Sequence, residues 1–322
     1  MSLDLLVPGL FPPPGAPEAL RALRLPALES ALASAGSGSE PATGPDEWLA
    51  SRFGLRGSVP HAAISLAGEG LPREGSWLHA DPVHLAIGQD AVALHDASGL
   101  AITREEANAL VGALQAHFEP DKLVFLSPAP DRWYVRVPEG EVPATTPLGE
   151  ALGRNIFGLL PRGEGAINWP AALTEAQMLF TSHPVNEARE AQRQPVVNGV
   201  WFWGEGQAPA RVDRPYHGVV GGDLFARGLA RLSGAAESLD GERLLVIVDA
   251  AYIALRAGDA EGWSAALREM DQEWFARVPA LRNAHGDVRL VSPGHAGTRV
   301  FTFHAPSRWR WFSRPRPFIE HA

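Results

Sequence analysis

The last third of the chain carries a strand-helix-strand pattern, which restricts the fold more than any other feature of the sequence. An apolar strand over 244–248 ends at Asp249, apolar residues at helical spacing follow over 260–282, and a second apolar strand covers 288–291. A crossover of that length joins two strands that lie parallel in one sheet. We therefore predict an α/β fold, with a mixed sheet flanked by helices and a C-terminal strand-helix-strand unit to which 298–303 can add an edge strand.

The rest of the chain shows shorter elements of the same two kinds. Thr103 and Glu106 have the spacing of a capping box, which predicts a helix with one apolar face. A second capping pair predicts a helix that starts at Thr174 and ends or kinks at Pro184. Further strands are predicted over 3–7, 78–87 with a break near Pro82, 91–95, 122–126, 133–137 and 196–203, helices over 18–33 and 223–233, and a linker over 36–44. We expect two lobes, 1–145 and 146–322, which can also form one domain.

Charge and residue usage exclude several kinds of chemistry. The net charge of -9 does not favour the attraction to phosphate backbones on which nucleic-acid binding largely rests. Because there is no cysteine, no disulfide, thiol nucleophile or thiolate metal site can form. Lys122 is the only lysine and does not follow a glycine-rich turn, so a P-loop is absent, as are GxSxG, GxGxxG and HExxH. We expect no cofactor and no bound metal.

The start of the sequence and its hydropathy bear on location. The first residues lack a basic stretch and reach Pro8 early, and no run of about 18 apolar residues occurs anywhere. We therefore expect a cytoplasmic protein that does not contact a membrane. A small anionic ligand is the expected partner, and a protein partner stays open.

The densest group of polar residues in an apolar setting lies between 174 and 204. If the helix continues past its proline as a kink, Asn186 and Arg189 share a face, and an arginine fork beside an amide and the His183 imidazole suits a phosphate or carboxylate group. The alternative is structural: Arg189 pairs with a carboxylate and His183 caps the kink. The candidate ligand-binding residues are Glu175, Gln177, His183, Asn186, Arg189, Asn198, Trp201 and Trp203.

Three further residues, Asp81, His84 and Asp249, are candidates for catalysis. On a regular strand Asp81 shares a face with His79 while His84 points away, unless a bend at Pro82 reunites them as metal ligands. The alternative is an ordinary strand end. Asp249 lies at the carboxyl end of a strand, where open α/β sheets place ligands, but the same carboxylate could cap the following helical turn.

The tail over 308–318 alternates arginine with aromatic residues. Such a composition can stack on nucleic-acid bases or lie at a membrane surface. The tail is short and broken by prolines, so we expect it to pack back onto the fold through stacking of arginine on Trp309 and Trp311.

Several short motifs occur in an order that resembles a known family. They cover 80–85, 132–134, 175–178, 183–186 with Arg189, and 198–204, the last of which is Asn-Gly-Val-Trp-Phe-Trp-Gly. Together they resemble the RpfE-type regulatory proteins of proteobacteria, which are often catalogued as cofactor-independent phosphoglycerate mutases. The resemblance extends from about residue 77 to the arginine-rich tail.

The resemblance implies a divergent alkaline-phosphatase-like fold. A cofactor-independent mutase uses a serine nucleophile and two metal ions held by aspartates and histidines, with an Asp at the end of its first strand and an Asp-His pair near its end. In this chain the first predicted strand ends at Pro8, no Asp-His dipeptide occurs, and 292–295 stands where that pair would be sought.

The sequence therefore favours a regulatory or ligand-binding protein without metal-dependent catalysis, which binds a small anionic ligand at the 174–204 cluster. The alternative is a cofactor-independent phosphoglycerate mutase, or a related phosphate-ester mutase or phosphatase. Its ligands would come from Asp81, His84, His183 and Asp249.

Overall fold

A computed structural model describes residues 1–12, 22–88, 92–294, 297–304 and 315–321. The chain forms two compact units: the outer unit consists of Met1–Arg56 with Arg211–Ala322, and the inserted unit is Gly57–Ala210. The boundary that the sequence predicts between 145 and 146 falls inside the inserted unit. Among the described residues, no helix combines the length and the hydropathy needed to cross a membrane.

The mixed α/β class predicted from the sequence is confirmed. The described strands are β1 (Ser2–Leu6), β2 (Gly36–Glu40), β3 (Ser76–Ile87), β4 (Val92–His95), β5 (Val124–Ala129), β6 (Arg132–Val137), β7 (Gly199–Gln207), β8 (Gly218–Gly221), β9 (Arg243–Ile247), β10 (Asp287–Ser292) and β11 (Thr298–Phe303). The described helices are α1 (Pro26–Leu32), α2 (Pro45–Arg52), α3 (His61–Glu69), α4 (Arg104–His117), α5 (Leu148–Ala151), α6 (Trp169–Thr181), α7 (Pro184–Ala191), α8 (Leu224–Ser233), α9 (Ala250–Arg256), α10 (Ala260–Glu273) and α11 (Val278–His285).

The outer unit is built on a sheet of strand order β2-β11-β10-β1-β9-β8. Strands β8, β9, β1 and β10 run parallel, whereas β11 and β2 are antiparallel to their neighbours. The predicted strand-helix-strand unit is therefore present, but β1 lies between its two strands. Because β1 is central, Leu3 and Leu5 are fully buried, and they share a core with Trp263 of α10.

The inserted unit is built on a second sheet, with strand order β4-β3-β6-β5 and with β7 also paired to β3. The predicted capping box opens α4, where Thr103 accepts a hydrogen bond from the Glu106 amide and the Glu106 side chain accepts one from the Thr103 amide. Leu110 and Leu114 of α4 pack with Trp133 and Phe180 in one apolar core. Burial of each such side chain contributes about 1.5–3 kcal/mol, which holds the helix on the sheet.

The predicted linker over 36–44 is wrong in its first half, which forms strand β2. Strand β2 pairs with β11 along the register Gly38↔Val300, so β11 is not the edge strand that the sequence predicts. Backbone groups make this pairing, and the exposed middle of β2 needs no apolar side chains for it. A glycine- and serine-rich segment therefore gives no local sign of it.

Other element boundaries also differ from the predictions. Helix α6 begins at Trp169 rather than Thr174, because the Asn168 side chain accepts a hydrogen bond from the Ala171 amide at 3.2 Å. Strand β3 continues without a break through Pro82. The predicted helix over 260–282 is interrupted by a 3₁₀ turn at Phe275–Arg277, and the first described helix starts at Pro26.

Some predictions fall on residues that the structure does not describe. These are the proline-rich turn over 13–15, the start of the helix predicted from 18, residues 89 and 90 of a strand connection, His295, and the arginine- and tryptophan-rich part of the tail over 305–314.

Candidate functional site

Asn186 and Arg189, the centre of the predicted binding cluster, are buried and bonded within the inserted unit. The Asn186 amide nitrogen donates to the carbonyls of Phe180 and Val197, both at 2.8 Å, and its oxygen accepts from the Val197 amide at 3.0 Å. Arg189 donates through Nε to the Pro195 carbonyl at 2.8 Å, through Nη1 to Glu106 at 2.8 Å, and through Nη2 to the Leu100 carbonyl. These contacts match the structural alternative, in which Arg189 pairs with a carboxylate inside the fold instead of binding a ligand.

Three other members of that cluster lie apart from one another. His183 caps α7, with its Nδ1 accepting a hydrogen bond from the Val185 amide at 3.2 Å, and desolvation lowers its pKa. Glu175 is exposed on α6 and forms an ion pair with His117 at 2.9 Å. Gln177 is partly exposed on the same helix. His183 therefore acts as a helix cap, which was the other part of the structural alternative.

Asn198 directly precedes β7 and Trp201 and Trp203 lie on it, the strand that pairs with β3. The Asn198 side chain bonds both backbone groups of Leu85, and Trp201 Nε1 donates to the Thr146 carbonyl at 2.9 Å. Trp203 differs, because its Nε1 donates to a buried carboxyl group, Oδ2 of Asp81, at 2.7 Å. Among the residues of the predicted cluster, Trp203 is the one whose side chain is hydrogen-bonded to a buried ionisable group.

Asp81 and His84 lie on opposite faces of β3, so the predicted metal trio does not assemble. Because β3 runs straight through Pro82, strand alternation places Asp81 with His79 and sends His84 to the other side, where its Nδ1 contacts the Val196 carbonyl at 2.9 Å. The bend that would have reunited the three residues is absent.

His79 and Asp81 form a buried polar pair walled by aromatic rings. The His79 ring stacks on Trp203 with centroids 4.3 Å apart and also contacts Tyr134. Desolvation raises the pKa of Asp81 to about 7, against the lowering effect of the Trp203 hydrogen bond. Desolvation likewise holds the pKa of His79 well below its ordinary value. Asp81 is thus a neutral acid in mildly acidic solution, and burial favours the neutral form of His79.

A second candidate site lies at the carboxyl edge of the parallel strands in the outer unit. Asp223 follows β8 and caps α8 by accepting a hydrogen bond from the Ala226 amide at 3.0 Å, and Asp249 follows the neighbouring strand β9. Oxygens of Asp223 and of Asp46, at the start of α2, lie within 4.8 Å of each other. Asp223 and Asp249 therefore follow two neighbouring parallel strands at the edge where open α/β sheets bind ligands, and Asp46 lies close to Asp223. We call this group the acidic edge.

The electrostatics of the acidic edge extend to one phenol. Desolvation raises the pKa of Asp249, which is partly buried and makes no capping hydrogen bond through its side chain. Desolvation also raises the pKa of Tyr252, and the charges of Asp46 and Asp223 add to that rise. The pKa of Tyr252 in α9 therefore depends on the charges of both Asp46 and Asp223.

The end of β1 carries no acidic residue. Val7 is fully buried there, and the loop that follows turns at Gly9, whose φ is +69°. A Cβ at Gly9 would lie 2.9 Å from the Tyr252 Cα, so the loop packs directly on the backbone of α9. The aspartate that the resemblance implies at this place is replaced by apolar packing.

Sequence reasoning missed Asp46, Asp223 as a site residue, and Tyr252. For Asp223 a signal existed, because a glycine pair and an aspartate that follow a short apolar strand are typical of a ligand-binding turn. For Asp46 and Tyr252, no signal in the sequence distinguishes them from ordinary surface or helix residues.

Comparison with known proteins supports a phosphoglycerate-mutase-like sequence. No protein-family model matches the chain. A probable 2,3-bisphosphoglycerate-independent phosphoglycerate mutase of Geobacter sulfurreducens is 27% identical over 162 residues, which are 49% of this chain and 40% of the relative. A mutase of the same name from Methanothrix thermoacetophila is 27% identical over 151 residues, 45% of this chain and 33% of the relative. The matches thus span less than half of the relatives' length.

A solved structure shares the fold of this chain. The PH0037 protein from Pyrococcus horikoshii superimposes with a TM-score of 0.59 at 13% identity, over 95% of this chain and 88% of that protein. A cofactor-independent phosphoglycerate mutase from Thermoplasma acidophilum gives a TM-score of 0.48 at 16% identity, over 94% and 89% of the two chains, which is too low to establish a shared fold. The finer resemblance to RpfE-type proteins remains a prediction.

Proposed function

We propose that this chain binds a phosphate ester, such as a phosphoglycerate, together with a divalent cation at the acidic edge of the outer unit. The observation that carries the proposal is that Asp223 and Asp249 follow the neighbouring parallel strands β8 and β9, with an oxygen of Asp46 within 4.8 Å of an oxygen of Asp223. The similarity to named phosphoglycerate mutases supports a phosphate ester as the ligand class.

A cation is needed because three carboxylates would repel a phosphate group. Carboxylate oxygens are the ligands that Mg²⁺ and Mn²⁺ prefer, so the donor set fits such an ion, with Asp46 and Asp223 as the residues that would hold it. When bound, the ion would neutralise charge on the phosphate. This proposal departs from the sequence-based expectation of no metal.

Turnover of the phosphate ester is the second candidate function. The names of the relatives favour it, since both are mutases. The buried Val7 at the end of β1 weighs against it, because a two-metal mutase site needs a carboxylate there. Binding without turnover would also match the regulatory role that the sequence resemblance implies, so we place binding first.

Isothermal titration calorimetry tests the proposal, with MnCl₂ alone and then with 3-phosphoglycerate added to the Mn²⁺-loaded protein. We expect Mn²⁺ to bind, 3-phosphoglycerate to bind only when Mn²⁺ is present, and Asp223→Asn to weaken Mn²⁺ binding at least tenfold. Asparagine is also a good helix cap, so this change removes charge and keeps α8.

Asp259→Asn is the matched control, because Asp259 caps α10 in the same unit by accepting a hydrogen bond from the Gly262 amide. If Mn²⁺ does not bind, or if the two Asp→Asn changes weaken it equally, the acidic edge is not the site. Interconversion of 2- and 3-phosphoglycerate, followed by ³¹P NMR, then decides between binding alone and catalysis.

A further inference from the structure

Two histidines of the inserted unit lie opposite each other on the antiparallel strands β3 and β4. His84 of β3 is the register partner of His95 of β4, and their ring centroids are 6.3 Å apart. Residues that are directly opposite on paired strands point to the same face of the sheet, with Cβ atoms about 4.5–5.5 Å apart. The pairing therefore places two imidazole rings side by side on one face.

The hydrogen bond of His84 determines which of its ring nitrogens carries the proton. Nδ1 lies 2.9 Å from the Val196 carbonyl, and because a carbonyl oxygen can only accept, Nδ1 is the donor. In the neutral ring the lone pair is then on Nε2. Histidines that bind metal ions are commonly held in this way, with one ring nitrogen donating to a backbone carbonyl and the other binding the ion. His84 therefore has one nitrogen ready to bind a metal ion.

The two rings are accessible from solvent. His95 is exposed and His84 is partly exposed. The next pair on the same face consists of Ala86 and Ala93, whose side chains are too short to cover an imidazole. Among the described residues, the His95 ring makes no hydrogen bond or ion pair, and its contact is with His84. A hydrated ion can therefore reach both rings.

We infer that His84 and His95 together bind one divalent transition-metal ion, such as Zn²⁺, and thereby join β4 to β3. Imidazole nitrogen suits Zn²⁺, Cu²⁺ and Ni²⁺, whereas Mg²⁺, Ca²⁺ and Mn²⁺ prefer oxygen ligands. The site thus differs from the acidic edge in its donor atoms and lies in the other unit, so the inference does not depend on the proposed function. Like that proposal, it departs from the sequence-based expectation of no bound metal.

The observed ring separation is close to the one that an ion requires. With metal–nitrogen distances of about 2.0–2.1 Å, two imidazoles on one tetrahedral ion have ring centroids about 5 Å apart. The centroids are 6.3 Å apart in the structure, so the rings have to approach each other by about 1 Å. Rotation of the exposed His95 side chain achieves this while His84 keeps its hydrogen bond. Water would fill the remaining positions around the ion, so the ion should exchange with solvent.

Metal binding at this pair should stabilise one edge of the inserted unit. In the described sheet β4 is the end strand of the order, next to β3, and has only four residues. On the face opposite the histidines, Leu85 and Leu94 pack with Trp201 in a small apolar cluster. The two imidazoles come together only when β3 and β4 are paired. An ion that binds both rings therefore favours the paired strands over the unfolded chain.

Histidine ¹⁵N NMR of the full chain, titrated with ZnCl₂, tests the site because binding to the metal shifts the signal of the bound nitrogen. We expect Nε2 of His84 and one ring nitrogen of His95 to shift together along a single binding curve. His95→Ala should weaken Zn²⁺ binding at His84 at least tenfold. His117→Asn is the matched control, because His117 is exposed in the same unit but pairs with the carboxylate of Glu175 instead of a second imidazole. It should leave both shifts unchanged.

Two further variants keep the test decisive. His95→Gln keeps a polar side chain without an imidazole, in case His95→Ala does not fold, and it should weaken Zn²⁺ binding in the same way. Asp223→Asn alters the acidic edge and should leave the His84 and His95 shifts unchanged. The inference is overturned if the two histidines do not respond to Zn²⁺, if their shifts follow separate binding curves, or if His117→Asn weakens binding as much as His95→Ala.

Discussion

Two buried polar clusters of the inserted unit differ in how fully their hydrogen-bonding groups are used. Around Arg189 and Asn186, every side-chain nitrogen and oxygen has a partner, most often a backbone carbonyl. Around His79 and Asp81, one ring nitrogen has none among the described residues, and a carboxyl group is held away from water at a raised pKa. A buried polar group whose hydrogen-bonding atoms all have partners supports the fold, whereas one with an unused atom or a shifted pKa can take part in chemistry.

The largest effect that this comparison predicts is on stability at Arg189. Arg189→Ala would leave Glu106 without its cation and the Leu100 and Pro195 carbonyls without this donor, so the free energy of unfolding should fall by about 3–5 kcal/mol in urea titrations. Arg193→Ala is the control, because Arg193 is exposed near the end of the same helix, and it should change the free energy by less than about 0.5 kcal/mol. If Arg189→Ala and Arg193→Ala lowered the free energy of unfolding equally, Arg189 would not have the structural role that its contacts indicate.

The second effect is a pH dependence at Asp81. Since the pKa of Asp81 in the folded state lies above its ordinary 3.8, the stability from the neutral carboxyl is fully present below about pH 4 and is lost as pH rises to about 7. Relative to Asp81→Asn, the wild-type protein should therefore lose stability over that range. The distance between 3.8 and about 7 corresponds to at most about 4 kcal/mol.

Urea titrations of the wild type and Asp81→Asn from pH 4 to pH 8 measure this difference, to which the titration of His79 contributes in both proteins. Asp121→Asn, an exposed change in the same unit, should run parallel to the wild type. A difference between wild type and Asp81→Asn that stays constant with pH would show that Asp81 ionises in the folded protein as it does in water.

The smallest effect is expected at Glu175, which the sequence placed in the same cluster as Arg189. Its ion pair with His117 is exposed, with 40% and 48% of the two side chains accessible. Glu175→Gln should lower the free energy of unfolding by less than about 1 kcal/mol, and added salt should reduce the difference further. A double-mutant cycle with His117→Asn measures the coupling energy of the ion pair. A coupling energy as large as the loss of stability expected for Arg189→Ala would mean that solvent exposure does not explain the difference between the Glu175 and Arg189 ion pairs.

Local patterns predicted those parts of the fold that local interactions form. The capping box at Thr103 and Glu106, the helix that Asp223 caps and the strand that ends before Asp249 are all present, because each depends on neighbours in the chain. Strand β2 was missed because its partner β11 is about 260 residues away along the chain. The sequence analysis expected two lobes but did not give the bounds of the two units, since no change of composition marks residues 57 or 210.

The candidate site was predicted less well than the fold. Asp81 and Trp203 were both named, but nothing in the sequence indicates that they are hydrogen-bonded across two strands that are about 120 residues apart. Asn186 and Arg189 have the residue types of an anion site, and their use as internal hydrogen-bond donors depends on a backbone path that the sequence does not reveal. Residue type alone cannot report whether a polar group is already satisfied.

The position of β1 between β9 and β10 has a consequence for synthesis on the ribosome. β1 is made before the whole inserted unit, whereas both of its neighbours in the sheet are made after it. During translation this apolar strand must wait for some 240 residues to be added before its first parallel partner exists, while all residues of the inserted unit are available earlier. Nascent chains that stop soon after residue 210 should therefore hold a folded inserted unit and an unpaired β1, which makes that strand the segment most in need of a chaperone.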